Sequence, residues 1–294
     1  MHRLAWFGLI AILGNGCGAE GSIGSSADGA PGTSDAGSGG PDADSVPTPD
    51  ARPQVTGLGI EDLDRYIVLG DSLSVYTYPN LLFADLQQAF PGVERVHRGE
   101  SGSEITDVID HQIPGLQPHA GPVLVTLTIG GNDFKRNPSA VMSEALSRPM
   151  ADDFEADLET AVQLLEAKFT GDLWILIANI HDPSDAEGTI YERSGLDGDV
   201  CDLLFLIADL GQSGTAMSNL DYWNGRHAAV ADRKDSAYLA DLHQLYLGHA
   251  MNAGVSTIAH YHPEDPTRWL LTDCAHPTPR GDEEIADMFW RMIE

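Results

Sequence analysis

The stretch Val123 to Asp133 reads VLVTLTIGGND. Its first seven residues carry no charge and hold no polar residue except two threonines. A run this short, rich in branched side chains and closed by paired glycines, is a strand buried on both faces. Similar runs lie on either side. Arg65 to Leu69 (RYIVL) ends at Gly70, Val93 to His97 is a short second strand, Leu173 to Ile180 reads LWILIANI, and Ala237 to Leu242 is a last strand. Helical periods fall between them. Tyr78 to Phe90 places Leu81, Leu82, Leu86 and Phe90 near helical spacing, and Ala151 to Phe169 aligns Phe154, Leu158, Ala161 and Leu165. Arg280 to Glu294 closes the chain with Ile285, Phe289 and Met292 inward. Apolar strands alternating with helices predict an α/β fold, a mostly parallel sheet covered on both sides. In such sheets reactive groups gather beyond the carboxyl ends of the strands.

Four short segments occupy those positions. The first strand runs into Gly70-Asp71-Ser72-Leu73-Ser74, where a serine after a buried strand either exposes its hydroxyl on a tight turn or caps the next helix. The second strand is followed by Gly99-Glu100-Ser101-Gly102-Ser103. The third ends in Gly130-Gly131-Asn132-Asp133, which offers close backbone approach and an amide donor. Asp273-Cys274-Ala275-His276-Pro277 precedes the closing helix. An aspartate three residues before a histidine can accept from its Nδ1, fix the tautomer and leave Nε2 as a base. The competing reading is a helix-entry loop.

Taken in order, GDS, SG, GGND and DxxHP resemble the SGNH hydrolases, also called GDSL lipases and esterases, over the whole segment from about Gly57 to the end. The resemblance implies a flavodoxin-like three-layer α/β/α sandwich and ester hydrolysis without a cofactor. It implies Ser72 as nucleophile, His276 as base and Asp273 as its orienting acid. The oxyanion hole would comprise the Ser72 and Gly102 backbone N–H groups and the Asn132 side chain, with Gly99 a rival to Gly102. The implied substrate is a carboxylic ester, of a lipid or of an acetylated polysaccharide. Acyl transfer on the same triad and a catalytically silent binding module on the same fold are the alternatives. The α/β-hydrolase route needs a G-x-S-x-G elbow, which the chain lacks.

The 294 residues carry 16 Lys plus Arg against 45 Asp plus Glu, a formal net charge of −29. A phosphate backbone needs a basic face, so this balance argues against nucleic acid, and equally against a polybasic membrane patch. From Gly57 onward 39 acids stand against 14 bases, a net of −25. Such a surface suits a salty medium or is simply that of an acidic soluble protein.

Residues 1–17 read as a signal peptide. Arg3 precedes the apolar run Leu4 to Leu13, which is too short to span a bilayer, and Cys17 follows small residues. This predicts a bacterial lipoprotein lipidated at Cys17 in the cell envelope, although Leu13 stands four residues before the cysteine. An ordinary secretory signal is the alternative. Gly, Ser, Pro, Ala and Asp fill 30 of the 39 positions in residues 18–56, so that segment reads as a flexible linker. Residues 57–294 are then the hydrolase domain that the resemblance implies.

Eleven histidines invite a metal reading, but neither His260-Tyr261-His262 nor His243 with His249 has a strong zinc spacing, and no metal is expected. The acidic loop His181 to Gly188 lacks calcium-site spacing and reads as a solvated loop. Cys201 and Cys274 are either a disulfide, permitted in an oxidising envelope, or two separate buried thiols. Leu203 to Leu210 (LLFLIADL) is either a helix packed on the sheet or an apolar insert that shapes a pocket.

Overall fold

The apolar runs pair side by side. In a computed structural model, which describes residues 57–294, strands β1 (Arg65–Gly70), β2 (Glu94–His97), β3 (Val123–Thr128), β4 (Leu173–Ala178) and β5 (Ala237–Ala240) form one parallel sheet. Its order is β2-β1-β3-β4-β5. The expectations for the signal peptide, for Cys17 and for the linker of residues 18–56 lie outside the described residues.

Strand alternation divides the core into two layers. Tyr66, Val68, Leu124 and Leu176 face helices α1 (Tyr78–Ala89) and, at the chain's end, α5 (Pro279–Ile293), where they meet Leu82, Leu86, Ile285 and Phe289. Ile67, Leu69, Val125, Leu127, Ile175 and Ile177 face α2 (Glu144–Lys168) and α4 (Ser213–Arg233), where they meet Phe154, Leu158, Trp223 and Val230. Helix α3 (Asp199–Asp209) belongs to the long connection between β4 and β5. Each such side chain, fully buried, contributes about 1.5–3 kcal/mol, so both faces of the sheet must stay covered. The architecture is the expected α/β/α sandwich.

Several boundaries differ from expectation. α2 begins at Glu144 rather than Ala151 and carries Pro149 inside it. Proline normally ends a helix there, having no N–H to donate. Here Trp223 Nε1 donates to Ser147 Oγ at 3.0 Å and holds that turn against α4. β4 stops at Ala178 and β5 at Ala240, each two residues early. Asn179 then turns sideways, its side chain donating to Asp241 and accepting from the His243 N–H.

The chain leaves β1 for β2 on one side and returns for β3 on the other. The crevice beyond the carboxyl ends of β1 and β3 is therefore where the strand order reverses. Asp71 to Ser74 and Gly130 to Asp133 open directly into it.

Candidate active site

β1 ends by pressing Gly70 onto β3. A Cβ at Gly70 would lie 2.0 Å from the Thr128 carbonyl oxygen, and the backbone there has φ +122°. Only glycine fits so close an approach with that dihedral. The next two residues turn out of the sheet. Asp71 N–H still donates to Thr128 O at 2.9 Å, and Asp71 Oδ1 accepts from Leu73 N–H at 3.1 Å. Ser72 stands on this turn, and its side chain makes no capping bond to the short helix that follows. The alternative cap role for Ser72 is thus not the one it has.

The hydroxyl turns instead to the far end of the chain. Ser72 Oγ lies 2.8 Å from His276 Nε2, across 204 residues of sequence. His276 Nδ1 lies 2.7 Å from Asp273 Oδ2. Asp273 Oδ1 accepts from the Ala275 and His276 N–H groups, both at 3.0 Å. Partial burial pushes the Asp273 carboxyl up, but the His276 side chain and these backbone donors outweigh it and hold the group below its ordinary range. Thr278, not Asp273, caps α5 by accepting from Gly281 N–H.

Asn132 follows β3 at the opposite wall. Its Nδ2 donates to Ser103 O at 2.9 Å, which aims the amide and leaves its second N–H free of that bond. Of the two rival glycines, Gly99 donates its N–H to Val68 O at 3.2 Å. The Gly102 N–H has no partner among the described residues. Gly99 is therefore occupied in the sheet edge, and Gly102 keeps a donor to offer.

Two residues with a part in this arrangement, Gln112 and Tyr76, were not singled out by the sequence, and a third, His181, entered only as the first residue of the acidic loop. Gln112 accepts from Gly70 N–H at 2.8 Å and donates to Gly70 O at 2.9 Å and to Ser103 Oγ at 3.1 Å. One buried amide thus ties the serine turn to the segment that holds Asn132. Tyr76 stacks on the His276 ring with centroids 4.8 Å apart and planes inclined by 14°. His181 lines the pocket beside the Asp273–His276 loop, its ring against Tyr246 at 5.1 Å. Burial first, then the neighbouring His276 and His243, push its pKa down to about 4, so it is neutral at physiological pH. None of the three lies in a recognisable motif. Only their positions just beyond apolar segments could have flagged them.

The acidic loop after β4 is not a solvated loop. Asp182 and Asp185 are buried. Asp182 accepts from Ser184 and Ala186 N–H groups, and Asp185 from the N–H groups of Gly248, Ala250 and Asn252. The loop is a staple between two segments around the pocket. Cys201 and Cys274 are joined in a disulfide, with Cα atoms 5.3 Å apart. Among the described residues no group of histidine, cysteine and acidic side chains could hold a metal ion, and no helix is long and apolar enough to cross a membrane.

A pocket of about 130 Å³ opens at Ser72, Asn132 and His276. A nucleophile paired with an oriented base, and amide donors across from them, can attack an acyl carbon and hold the oxyanion that results. The fold and this constellation define the class of α/β hydrolytic enzymes built on a serine after the first strand. Residues 68–283 match the GDSL-like lipase/acylhydrolase family, and the chain belongs to that family. Solved structures of similar fold include an extracellular lipase from Streptomyces rimosus (16% identity, 77% of this chain and 98% of that one, TM-score 0.49). A phospholipase A1 from Streptomyces albidoflavus (20%, 77% and 98%, 0.48) and a family 3 carbohydrate esterase from Talaromyces cellulolyticus (14%, 77% and 94%, 0.45) are also similar. No curated protein sequence matches the chain.

Proposed function

We propose that the protein is a serine esterase that hydrolyses carboxylic esters, of a lipid or of an acetylated polysaccharide. The observation that carries this reading is the unbroken chain Asp273–His276–Ser72, with contacts of 2.7 and 2.8 Å.

The chemistry follows from the donors and acceptors. Ser72 Oγ attacks the ester carbonyl carbon while its proton passes to His276 Nε2. Asp273 holds the ring and stabilises the imidazolium that forms. The carbonyl oxygen becomes an oxyanion, received by the Asn132 amide and the Ser72 and Gly102 N–H groups. Collapse breaks the bond to the alcohol oxygen, which takes the proton from His276. Water then repeats the sequence on the acyl-enzyme and releases the acid. No cofactor enters. Cys17 would tether the domain to the cell envelope through a lipid, with residues 18–56 as spacer.

Labelling with a fluorophosphonate probe tests the assignment. The wild-type chain takes up one equivalent and Ser72→Ala takes up none, while hydrolysis of a nitrophenyl acetate falls to the uncatalysed rate. Full turnover by purified Ser72→Ala would discard the triad.

A further inference from the structure

From the apolar walls around Ser72 we infer that the acyl half of the substrate is a linear chain longer than acetyl, seated against α3 and α4. This rests on the esterase reading above. A third apolar cluster, apart from both sheet-face cores, gathers Val141, Ile207 and Ala216, with Phe134, Met142 and Leu203 against it. Five of these six, all but Met142, line the pocket that opens at Ser72. Phe134 and Val141 continue the chain from Asn132, so the cluster lies on the wall that carries Asn132, while the leaving alcohol has to reach His276 Nε2 for its proton; the acyl chain is the half left to take the apolar wall. An acetyl group would leave these walls unused. A hexanoyl tail would cover them, and each methylene buried is worth about 0.8 kcal/mol. An apolar cavity of about 150 Å³ accepts a ligand the size of benzene, and this pocket, open on one side, holds about 130 Å³, so the length of chain it covers is about six carbons.

The test is the kcat/KM ratio between nitrophenyl hexanoate and nitrophenyl acetate, measured on the full chain. The expected ratio is about ten to a hundred, with palmitate below hexanoate. Ala216→Phe fills the pocket and brings the ratio toward one. Ile207→Ala enlarges it and moves the optimum to longer chains. A ratio is internal to each variant, so partial loss of folded protein cancels. A wild-type ratio near one, or a ratio that neither variant moves, overturns the acyl subsite and leaves the esterase reading standing. Failure to hydrolyse any ester sinks the esterase reading itself.

An independent observation assigns a second role. The geometry points to Tyr76 as a positioning residue whose ring face stabilises the imidazolium of His276. The two rings are nearly parallel at 4.8 Å. A cation over an aromatic face is attracted by the ring quadrupole, and the attraction exists only when His276 carries the proton. Other groups face this pair. Asp273 approaches from the same loop, Ser72 from the turn after β1, and His181 from the segment after β4. Asp282 of α5 acts on Tyr76, as does Asp273. Burial first, then these two carboxylates, raise the Tyr76 phenol above its ordinary range, so it stays neutral.

Tyr76→Leu is expected to lower kcat about three- to thirtyfold and to move the acid limb of the kcat/KM profile about half to one pH unit lower. Tyr76→Phe keeps the ring and should restore both. A role in packing alone would lower the rate without moving the limb. An unmoved limb in Tyr76→Leu, or no rescue by Tyr76→Phe, overturns the assignment.

Discussion

Cys274, two residues before His276, is bonded to Cys201 in the first turn of α3. The loop that carries Asp273 and His276 is thereby bolted to the helix that walls the pocket. Cys274 also has φ +61°, a left-handed conformation that costs a non-glycine residue about 1–2 kcal/mol. The bond holds the backbone there, and Asp273 and His276 flank the strained position.

Reduction of this bond is therefore expected to act on rate as well as stability. A native disulfide is typically worth about 2–5 kcal/mol, and Cys201→Ser should melt lower accordingly. Relaxation at Cys274 would also let the Asp273–His276 pair drift. Misplacement of catalytic groups by an ångström can cost about a hundredfold, so turnover should fall well below the melting temperature. Dithiothreitol titration, followed by ester hydrolysis and by calorimetry, checks both. A fully active, destabilised Cys201→Ser would show that Asp273's own hydrogen bonds suffice to hold the loop.

Asn132→Ala should separate turnover from binding. The amide is held by Ser103 O before any substrate arrives, so its remaining N–H meets the oxyanion without reorganisation. Removing one such donor usually costs about a hundred- to a thousandfold in kcat. KM should change little, because a neutral ester carbonyl accepts far more weakly. Steady-state kinetics on a soluble hexanoate ester give both constants. A loss confined to KM would remove Asn132 from the oxyanion hole.

The sheet was legible because its signals are local, and the segments around Ser72 and Asp273–His276 stood out as short motifs at its strand ends and before the closing helix. RYIVL, VLVTLTI and LWILIANI each show an unbroken apolar run, and a parallel sheet covered on both faces requires such runs. α4 left no comparable trace. Gly214 and Gly225 break its apolar period, and Asn219 and His227 stand buried in it because their partners are set by the fold rather than by the period. Asn219 donates to Val141 O, and His227 lies with both ring nitrogens near backbone carbonyls of Trp223 and Ile129. Gln112 and Tyr76 escaped for the same reason. A buried amide or a stacked ring has meaning only once its partner, 42 or 200 residues away, is in place. The acidic loop misled because Asp182 and Asp185 accept from backbone donors that sequence does not display.

Stability should fall as pH rises through neutrality. Asp71 and Asp133 are buried under the site, and burial is the main cause that raises them, to about 7 and about 6. Asp133 Oδ2 has no hydrogen-bond partner, which suits a protonated acid. A carboxyl whose folded pKa exceeds its unfolded value stabilises fully below the unfolded value and loses that contribution as pH climbs through the folded one. His181 has the opposite sign, lowered to about 4, and its contribution is lost on acidification below the ordinary histidine range. Above about pH 6.5 only the carboxyl effect remains. The melting temperature should therefore drop between pH 6.5 and 8, chiefly through Asp71 and Asp185, the carboxyls that burial raises to about 7, and Asp71→Asn should flatten that slope. A slope identical in the variant would exclude Asp71 as its source.

Added salt has two opposing effects, and their balance is predictable. α2 and α4 are laced by ion pairs, Arg226 to Glu155 at 2.9 Å, Arg233 to Glu155 at 2.7 Å and to Glu159 at 3.0 Å, and Lys234 to Glu159 at 3.4 Å. Screening weakens them, but such surface pairs are worth only about 0–1 kcal/mol each. Against them stands a net charge of −25 over residues 57–294. That excess repels itself more in the compact state than in the unfolded chain. At 1 M salt the Debye length shrinks to about 3 Å, which removes the long-range repulsion and leaves contacts at hydrogen-bond distance partly intact. The melting temperature should therefore rise between 0.05 and 1 M NaCl. Sodium chloride rather than sulfate is the right probe, because sulfate also strengthens apolar burial by exclusion from the surface. A falling curve in chloride would mean that the α2–α4 pairs outweigh the excess charge, and Arg233→Gln would then make the fall shallower; a flat curve would mean that the two effects cancel and would overturn the prediction.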